Sequence, residues 1–132
     1  MSLRQLADRL EIENLLTRYC RAVDFKDWAL YRSMFADGAR VDYSAAGLFA
    51  GTSDDAVGYL TRHQGSITVG MHYVTNIEAE IDGDTARVVA MWFNAVELPG
   101  KSGISFFAGR WHDEMTRTPQ GWRIRALRLE VV

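Results

Sequence analysis

The spacing of apolar residues changes near Met71, and this change limits the possible fold more than any other feature of the sequence. Between Ile12 and Val23 the apolar residues recur at every third or fourth position, which indicates one buried face of a helix. From Met71 onward, long segments alternate between apolar and polar residues, as strands with one buried face do. Helices followed by such strands predict an α+β fold in which the helices pack against an antiparallel sheet.

The first helix is expected to begin near Asp8. Asp8 with Glu11 three residues later has the spacing of a capping box, so the periodic face from Ile12 onward would belong to a helix that starts there. The apolar residues of segment 3–10 point to roughly the opposite side. We therefore expect this segment to form a short separate turn of helix.

Two further helices and one short strand are predicted before Met71. The second helix is expected to start at Asp27, carry Trp28, Tyr31 and Phe35 on its inner face, and end at Asp37-Gly38. Segment 39–44 would form a short strand, and segment 52–64 a third helix capped by Thr52 or Ser53. These expectations are drawn from the stretches "WALYRSMFADG", "ARVDYS" and "TSDDAVGYLTRHQ".

Four long strands complete the prediction, in segments 71–81, 85–98, 104–117 and 122–132. The first two join across Asp82-Gly83-Asp84, a hairpin signal, and the last two across a Pro-Gln-Gly turn. A strongly bent sheet that wraps round helices forms a cone, and its mouth leaves a largely apolar concavity of the kind that binds small molecules. The residues expected to line that interior are Trp92, Phe106 and Trp122, with His72 and Asn76.

The composition narrows the class of protein. The 132 residues are 48% hydrophobic and 24% charged with a net charge of -2, which fits one domain over residues 1–132 and gives no general attraction to nucleic acid. No apolar run is long enough to span a membrane, and the charged N-terminus is unlike a signal peptide, so we expect a cytoplasmic protein. Cys20 is the only cysteine, and no histidine motif predicts a bound metal.

Histidine is the side chain most easily used near neutral pH, and three are present. The position of His63 favours a solvated helix end, and that of His112 favours the surface of a strand. His72 opens a strand and is the strongest candidate for chemistry. Asp24 follows the apolar face of the first helix, where it either terminates the helix or faces a cavity.

Several stretches together resemble the SnoaL-like branch of the nuclear transport factor 2-like superfamily, nearest the scytalone dehydratase and bile-acid dehydratase group. They are "RYCRAVDFKDW", "YRSMFADGARVDY", "MHYVTN", "DGDTARV" and "GWRI", in that order. The resemblance covers nearly the whole chain. It implies a cone-shaped fold that is commonly dimeric through the outer face of the sheet.

The same resemblance implies site residues. Asp24 and His72 match the aspartate and histidine that the dehydratases carry, and Tyr19 and Tyr43 match two tyrosines of the bile-acid enzymes. The chain departs from the group at two places. The second histidine of scytalone dehydratase would fall in "FNAVEL", where Asn94 is the only polar substitute, and the C-terminal arginine of the bile-acid enzymes has Arg128 only as a near neighbour.

These features predict a cofactor-independent lyase or isomerase that acts on a small hydrophobic cyclic ketone or hydroxyketone. Asp24, His72, Tyr19 and Tyr43 would be catalytic, and no metal or cofactor is expected. The predicted substrate-binding residues are Trp92, Asn94, Phe106, Trp122 and Arg128. The alternative is a non-catalytic dimeric binding module, or an accessory small subunit of a ring-hydroxylating dioxygenase, because those subunits share the fold.

Overall fold

A computed structural model describes residues 1–132 and has the predicted α+β architecture: three helices and a curved six-stranded sheet that does not close into a barrel. A short 3-10 turn at Ser44–Ala46 precedes β2. The helices are α1 Leu3–Asp24, α2 Trp28–Ser33 and α3 Ser53–His63. The strands are β1 Phe35–Asp42, β2 Ala50–Thr52, β3 Gly70–Asp82, β4 Thr85–Val96, β5 Ser105–Thr118 and β6 Gly121–Val131.

The strand order across the sheet is β2-β1-β6-β5-β4-β3. The long strands β3 to β6 form an antiparallel meander, whereas β1 pairs with β6 in parallel and with β2 in antiparallel orientation. The predicted hairpin is confirmed because Asp82 pairs with Thr85, and Gly83 between them has the positive φ of 59° that such turns favour in glycine.

The core lies between α1 and the concave face of the sheet. The apolar face predicted for α1 is buried there, with Ile12, Leu15, Leu16 and Tyr19 at most 3% exposed. Burying each aliphatic side chain of this kind stabilises the fold by roughly 1.5–3 kcal/mol. Tyr19 packs edge-on against Trp111 of β5 with ring centroids 5.0 Å apart, so Trp111 marks the face of the strand that points inward.

The expectation of a separate helical turn before Asp8 was wrong, because α1 is continuous from Leu3. Its capping box is formed by Ser2 and Gln5, whose side chains each bind the other's backbone N–H. Leu3, Leu6 and Leu10 are exposed on the outer side of α1. These leucines point away from the core because they lie on the solvent-facing side of the same helix. Single apolar residues on a protein surface are common and need no second core to cover them.

Asp8 is a buried anchor rather than a cap. Its carboxylate accepts two hydrogen bonds from the Arg117 guanidinium, at 2.9 and 2.8 Å, and one from the indole Nε1 of Trp122 at 3.2 Å. Arg117 also binds Asp84 in the β3–β4 turn. These contacts fasten the start of α1 to the ends of two hairpins.

The second helix starts as predicted but ends earlier. The Asp27 carboxylate accepts the N–H of Leu30 as an N-cap, and α2 stops at Ser33. Phe35 and Asp37-Gly38 belong to β1, because β6 already captures the chain where Ile124 N–H donates to the Met34 carbonyl at 2.9 Å. Long-range strand pairing thus overrides the local helical pattern.

The third helix agrees with its prediction, with Thr52 as N-cap and Asp55 completing the capping box. None of the three helices combines the length and the apolar character that crossing a membrane requires.

Candidate functional site

Asp24 and His72 are brought together where α1 ends beside the start of β3. One oxygen of the Asp24 carboxylate lies 2.7 Å from Nδ1 of His72. The same carboxylate accepts the backbone N–H of His72, at 2.9 and 3.1 Å to its two oxygens. Both side chains are mostly buried, with 18% of Asp24 and 19% of His72 exposed.

The C-terminal turn of α1 fixes the direction of Asp24. Lys26 adopts a left-handed backbone with φ of 56°, and the N–H of Asp27 donates to the Ala22 carbonyl at 2.8 Å, as in a Schellman cap. The Lys26 ammonium then donates to the carbonyl of Ile67. This bond ties the segment before β3 to the end of α1, which brings His72 next to Asp24.

The geometry assigns the tautomer of His72. A carboxylate beside Nδ1 places the proton of a neutral imidazole on that nitrogen, which leaves the lone pair on Nε2. Nε2 has no hydrogen-bond partner in the chain. His72 is therefore arranged to accept a proton at Nε2, and Asp24 can stabilise the imidazolium that forms.

Tyr19 and Tyr43 meet in the interior with a third tyrosine, Tyr31. The Tyr43 hydroxyl is hydrogen-bonded to the Tyr19 hydroxyl on one side and to the Tyr31 hydroxyl, at 2.8 Å, on the other. All three residues are buried. Burial, and next to it the neighbouring phenols, raises the pKa of each tyrosine well above its usual value. They are neutral hydroxyl groups and can act as donors.

Aromatic side chains connect the tyrosines to the His72 end of the sheet. Trp111 stacks with Trp92 of β4 at a centroid distance of 6.4 Å. Two residues further along β4, Asn94 stands opposite His72 in the strand register. The indole Nε1 of Trp92 and the Oδ1 of Asn94 are buried without a hydrogen-bond partner.

The comparisons with known proteins agree with this architecture. The sequence profile of the SnoaL-like domain matches residues 4–128. The chain belongs to the SnoaL-like domain family. Protein Rv2910c of Mycobacterium tuberculosis is 34% identical over 125 residues, which are 94% of this chain and 85% of the relative.

Solved structures of SnoaL-like shape superpose over almost the whole chain. Kfla4162 from Kribbella flavida is 26% identical with a TM-score of 0.85, covering 96% of this chain and 92% of the other. A scytalone dehydratase-like protein from Novosphingobium aromaticivorans has a TM-score of 0.89 and covers 100% and 89% of the two chains. At 18% identity, that second likeness shows the fold alone.

Two residues expected to line the interior lie elsewhere in this SnoaL-like domain. Phe106 is on the outer face, 63% exposed, and stacks on Phe93 with centroids 5.6 Å apart. The inward position opposite Asn94 is taken by Phe107, one residue later. Asn76 is exposed in a bulge of β3 with φ of 51°, so it does not enter the interior.

Trp122 and Arg128 are also far from the Asp24–His72 pair. Trp122 faces inward but is fully buried beside Asp8, at the opposite end of β5 from the mouth. Arg128 is exposed and pairs in register with His112 on the outer face, because a bulge in β6 after Ile124 shifts the alternation. His112 itself donates from Nε2 to the Glu130 carboxylate at 2.7 Å, which fits the surface position predicted for it.

Sequence reasoning missed Asp113. This residue is 3% exposed, shares the inward parity of Trp111 and Met115, and neither carboxyl oxygen has a hydrogen-bond partner. Burial raises its pKa well above the usual value. The signal was present in "RWHDEM", where Asp113 lies two residues after Trp111 and two residues before Met115. Tryptophan and methionine are both residue types that commonly form cores.

A surface cleft of about 320 Å³ lies near the start of α1, lined by Ser2, Gln5, Ile81 and neighbouring residues. It contains none of the predicted site residues. The Asp24–His72 pair and the buried phenols, which share the opposite end of the interior, remain the candidate site.

Proposed function

We propose that the protein is a cofactor-independent lyase or isomerase that removes a proton from carbon next to a carbonyl group. The observation that carries this proposal is the Asp24–His72 pair, in which Nδ1 is held at 2.7 Å from the carboxylate and Nε2 is unpartnered. Such a pair is suited to general-base catalysis, because the carboxylate orients the imidazole and leaves Nε2 free to accept a proton.

In the proposed reaction, Nε2 of His72 accepts the proton as the carbon–hydrogen bond breaks. The electron pair of that bond passes to the carbonyl oxygen and forms an enolate, while Asp24 stabilises the imidazolium. In a dehydration, the enolate electrons re-form the carbonyl and make a carbon–carbon double bond as the bond from the β-carbon to its hydroxyl breaks. The imidazolium gives its proton to that hydroxyl, which leaves as water. In an isomerisation, the same proton is delivered to another carbon. Neither route needs a metal or an external cofactor.

The enolate oxygen needs a hydrogen-bond donor, and Tyr19 and Tyr43 are the proposed source. Their raised pKa values, caused first by burial, keep the hydroxyl groups protonated at neutral pH. A neutral phenol in a water-poor site stabilises an oxyanion more effectively than it would in water. The surrounding Trp92, Trp111 and Phe107 favour a lipophilic ring-shaped substrate, with Asn94 as a polar contact.

Deuterium exchange tests this proposal on a panel of cyclic ketones and hydroxyketones, whichever of them is the natural substrate. The protein is incubated with each compound in D₂O, and NMR follows exchange at the carbon next to the carbonyl together with any loss of water. We expect His72→Ala to lower the rate by about 100-fold or more. His112→Ala is the matched control, since His112 also contacts a carboxylate but lies on the outer face. Equal exchange by wild type and His72→Ala would remove the enzyme proposal.

We also propose that the outer face of the sheet forms a homodimer. Tyr73, Phe93 and Phe106 form a continuous aromatic surface there, with centroids 6.0 and 5.6 Å apart, and Met71 and Met91 beside them are exposed. An exposed apolar patch of this kind typically marks an interface. Sedimentation at micromolar concentration should give a dimer, and Phe93→Lys should give a monomer. A monomeric wild-type protein contradicts the proposal.

The same apolar face supports the second candidate function, an accessory subunit that binds a larger partner. This candidate predicts no deuterium exchange with any ketone and a monomer when the pure protein is sedimented. It also predicts that His72→Ala has no effect on assembly with the partner. The exchange and sedimentation measurements together therefore separate the two functions.

A further inference from the structure

The Asp24–His72 pair is mostly enclosed, so a substrate needs an opening to reach it. Asp24 is 18% and His72 19% exposed, and the unpartnered atoms of Trp92 and Asn94 on the same side of the sheet are buried. This leaves too little open surface for a ring-shaped molecule to reach Nε2 of His72 directly. One wall of the site therefore has to move before such a molecule can enter, as in enzymes whose loops close over their substrates.

The segment 64–69, between α3 and β3, is the wall with the fewest bonds. Only two of its six N–H groups donate a hydrogen bond within the chain, and both acceptors lie in α3 or in the segment itself. Two contacts hold it to the rest of the protein: the Val69 carbonyl accepts the N–H of Glu97 at 2.9 Å, and the Ile67 carbonyl accepts the Lys26 ammonium. A segment with so few hydrogen bonds opens locally without unfolding of the core.

Ile67 places this segment over the inner face of the sheet beside the imidazole. Its Cγ2 lies 3.7 Å from the position that a Cβ at Gly70 would take, and Gly70 has the same strand parity as His72. The strand partner of Gly70, Val96, is only 3% exposed although it is the last residue of β4. The inner face is thus covered at this end, and segment 64–69 closes the side of the site next to His72.

Lys26 fastens the middle of the segment. It follows the C-cap of α1 with φ of 56°, a backbone that is strained for any residue with a Cβ and that glycine usually supplies. Its ammonium donates to the Ile67 carbonyl and to no carboxylate. Because Asp24 binds His72 two residues earlier, the end of α1 holds this part of the chain at two points, Ile67 and His72. The contact with Ile67 gives a physical reason for a lysine at a strained position.

We propose that segment 64–69 is a strap that opens to admit the substrate, and that Lys26 is the positioning residue that holds it closed over the Asp24–His72 pair. Opening exchanges one hydrogen bond of the Lys26 ammonium for a bond to water, so the two forms differ little in free energy. Closure keeps water away from Nε2 during proton transfer. The purpose of the strap rests on the proposed function, whereas its opening is measurable without any reaction.

Cys20 reports whether a ring-shaped molecule enters. It is the only cysteine, is 6% exposed, and lies one helical turn before Asp24 on the buried side of α1. Burial, and after it the charge of Asp24, raises the pKa of the Cys20 thiol to about 12, so reaction is slow while the site is closed. N-ethylmaleimide is a small uncharged ring with two carbonyl groups. Its rate of addition to Cys20, followed by mass spectrometry, measures how often such a ring gains access.

We expect Lys26→Met to be labelled about tenfold faster than wild type, because methionine keeps the apolar stem and loses the ammonium. Lys26→Arg keeps an N–H donor and should stay within about threefold of wild type. Lys101→Met is the matched control, since Lys101 is the other lysine and is exposed in the β4–β5 loop. Equal labelling of wild type and Lys26→Met overturns the role of Lys26, and so does equal acceleration by Lys101→Met.

Limited proteolysis shows where the protein opens. Thermolysin cleaves before apolar residues, and the strap contains Ile67 and Val69. We expect Lys26→Met to be cut faster before these two residues, at a temperature where thermal unfolding shows the variant to be folded. Faster labelling without faster cleavage in the strap overturns the proposal, as does cleavage that rises equally along the whole chain.

The strap and the proposed reaction fail separately. If Lys26→Met speeds labelling and strap cleavage while His72→Ala leaves ketone exchange unchanged, the strap stands and the proposed reaction does not. If His72→Ala abolishes exchange and Lys26→Met changes neither labelling nor cleavage, the reaction stands and the strap does not.

Discussion

Asp24 binds His72 at two points, through the backbone N–H and through Nδ1 of the ring. The first contact fixes where β3 begins relative to α1, and the second fixes the direction of the imidazole. A change at Asp24 therefore alters the position of the histidine as well as its protonation. A lone carboxylate beside an exposed ring would not have this double effect.

We expect Asp24→Asn to lower turnover by about 100-fold or more, because the amide no longer stabilises the imidazolium and can favour the wrong tautomer. Glu130→Gln is the matched control: it removes the carboxylate beside His112 on the outer face. The measurement is the deuterium-exchange rate across pH. Equal losses in the two variants would show that Asp24 acts through general stability.

Tyr43→Phe is expected to destabilise the fold by about 1–3 kcal/mol, since it leaves the buried hydroxyls of Tyr19 and Tyr31 without their shared partner. Its effect on turnover should be smaller than that of His72→Ala, because the oxyanion keeps another donor. Tyr31→Phe removes only the bond at one end of the chain. Urea unfolding should therefore rank Tyr43→Phe as the more destabilising change, and the opposite order contradicts the hydroxyl chain.

The Asp8–Arg117 contact should make the free energy of unfolding depend on pH in the acid range. Hydrogen bonds from Arg117 lower the pKa of Asp8 from 3.8 to about 2. The folded-state pKa lies below the unfolded value, so this contribution is complete above pH 3.8 and is lost as the pH falls toward 2. Asp8→Asn should remove that part of the pH dependence in urea titrations. If the variant loses stability in acid as the wild type does, Asp8 is not the source of that loss.

Asp113 should have the opposite effect to Asp8 on the way stability depends on pH. Burial raises its pKa, so the unfolded chain loses this proton first, and wild-type stability declines as the pH rises above 3.8. Asp113→Asn has no such proton and should melt at a higher temperature than wild type at pH 7.5. The difference between the two proteins should shrink near pH 4. A variant that is less stable than wild type at both pH values contradicts the raised pKa of Asp113.

Gly109→Ala should disturb the interior next to Trp92. A Cβ atom at this position would lie 1.8 Å from the backbone oxygen of Glu130 and 2.9 Å from the Trp92 ring, so strand or indole must move. We expect a loss of about 1–3 kcal/mol by thermal unfolding and a change in tryptophan fluorescence. Gly65→Ala is the control, because nothing lies within 4 Å of a Cβ there.

The sequence predicted the elements whose local signals and tertiary environment agree. α3 has a capping box and a helical pattern, and the β3–β4 hairpin has a glycine where its turn requires one. The end of α2 could not be predicted, because Phe35 is taken into β1 by pairing with a strand 89 residues later, at Ile124. A short-range pattern contains no information about that partner.

The site divides in the same way. Asp24 and His72 were singled out by their positions in the predicted helix and strand, and a family resemblance then paired them. Their contact joins residues 48 positions apart that no spacing rule connects. Phe106 was misplaced because its strand faces inward at Phe107, one residue later than predicted. Arg128 was misplaced because an unpredicted bulge in β6 turns its side chain to the other face. Asp113 was overlooked since an acid in an alternating strand is ordinarily a surface residue.

The position of β6 between β1 and β5 has a consequence for how the chain folds during synthesis. Until β6 has left the ribosome, β1, β2 and α3 have no edge to join, and β5 exposes an unpaired row of backbone groups. During synthesis the sheet therefore exists as two separate parts, β1 with β2 and β3 to β5. The unpaired edge strands of both parts are surfaces on which aggregation starts. Mutations that slow the docking of β6 should therefore lower the yield of soluble protein even where the finished fold tolerates them.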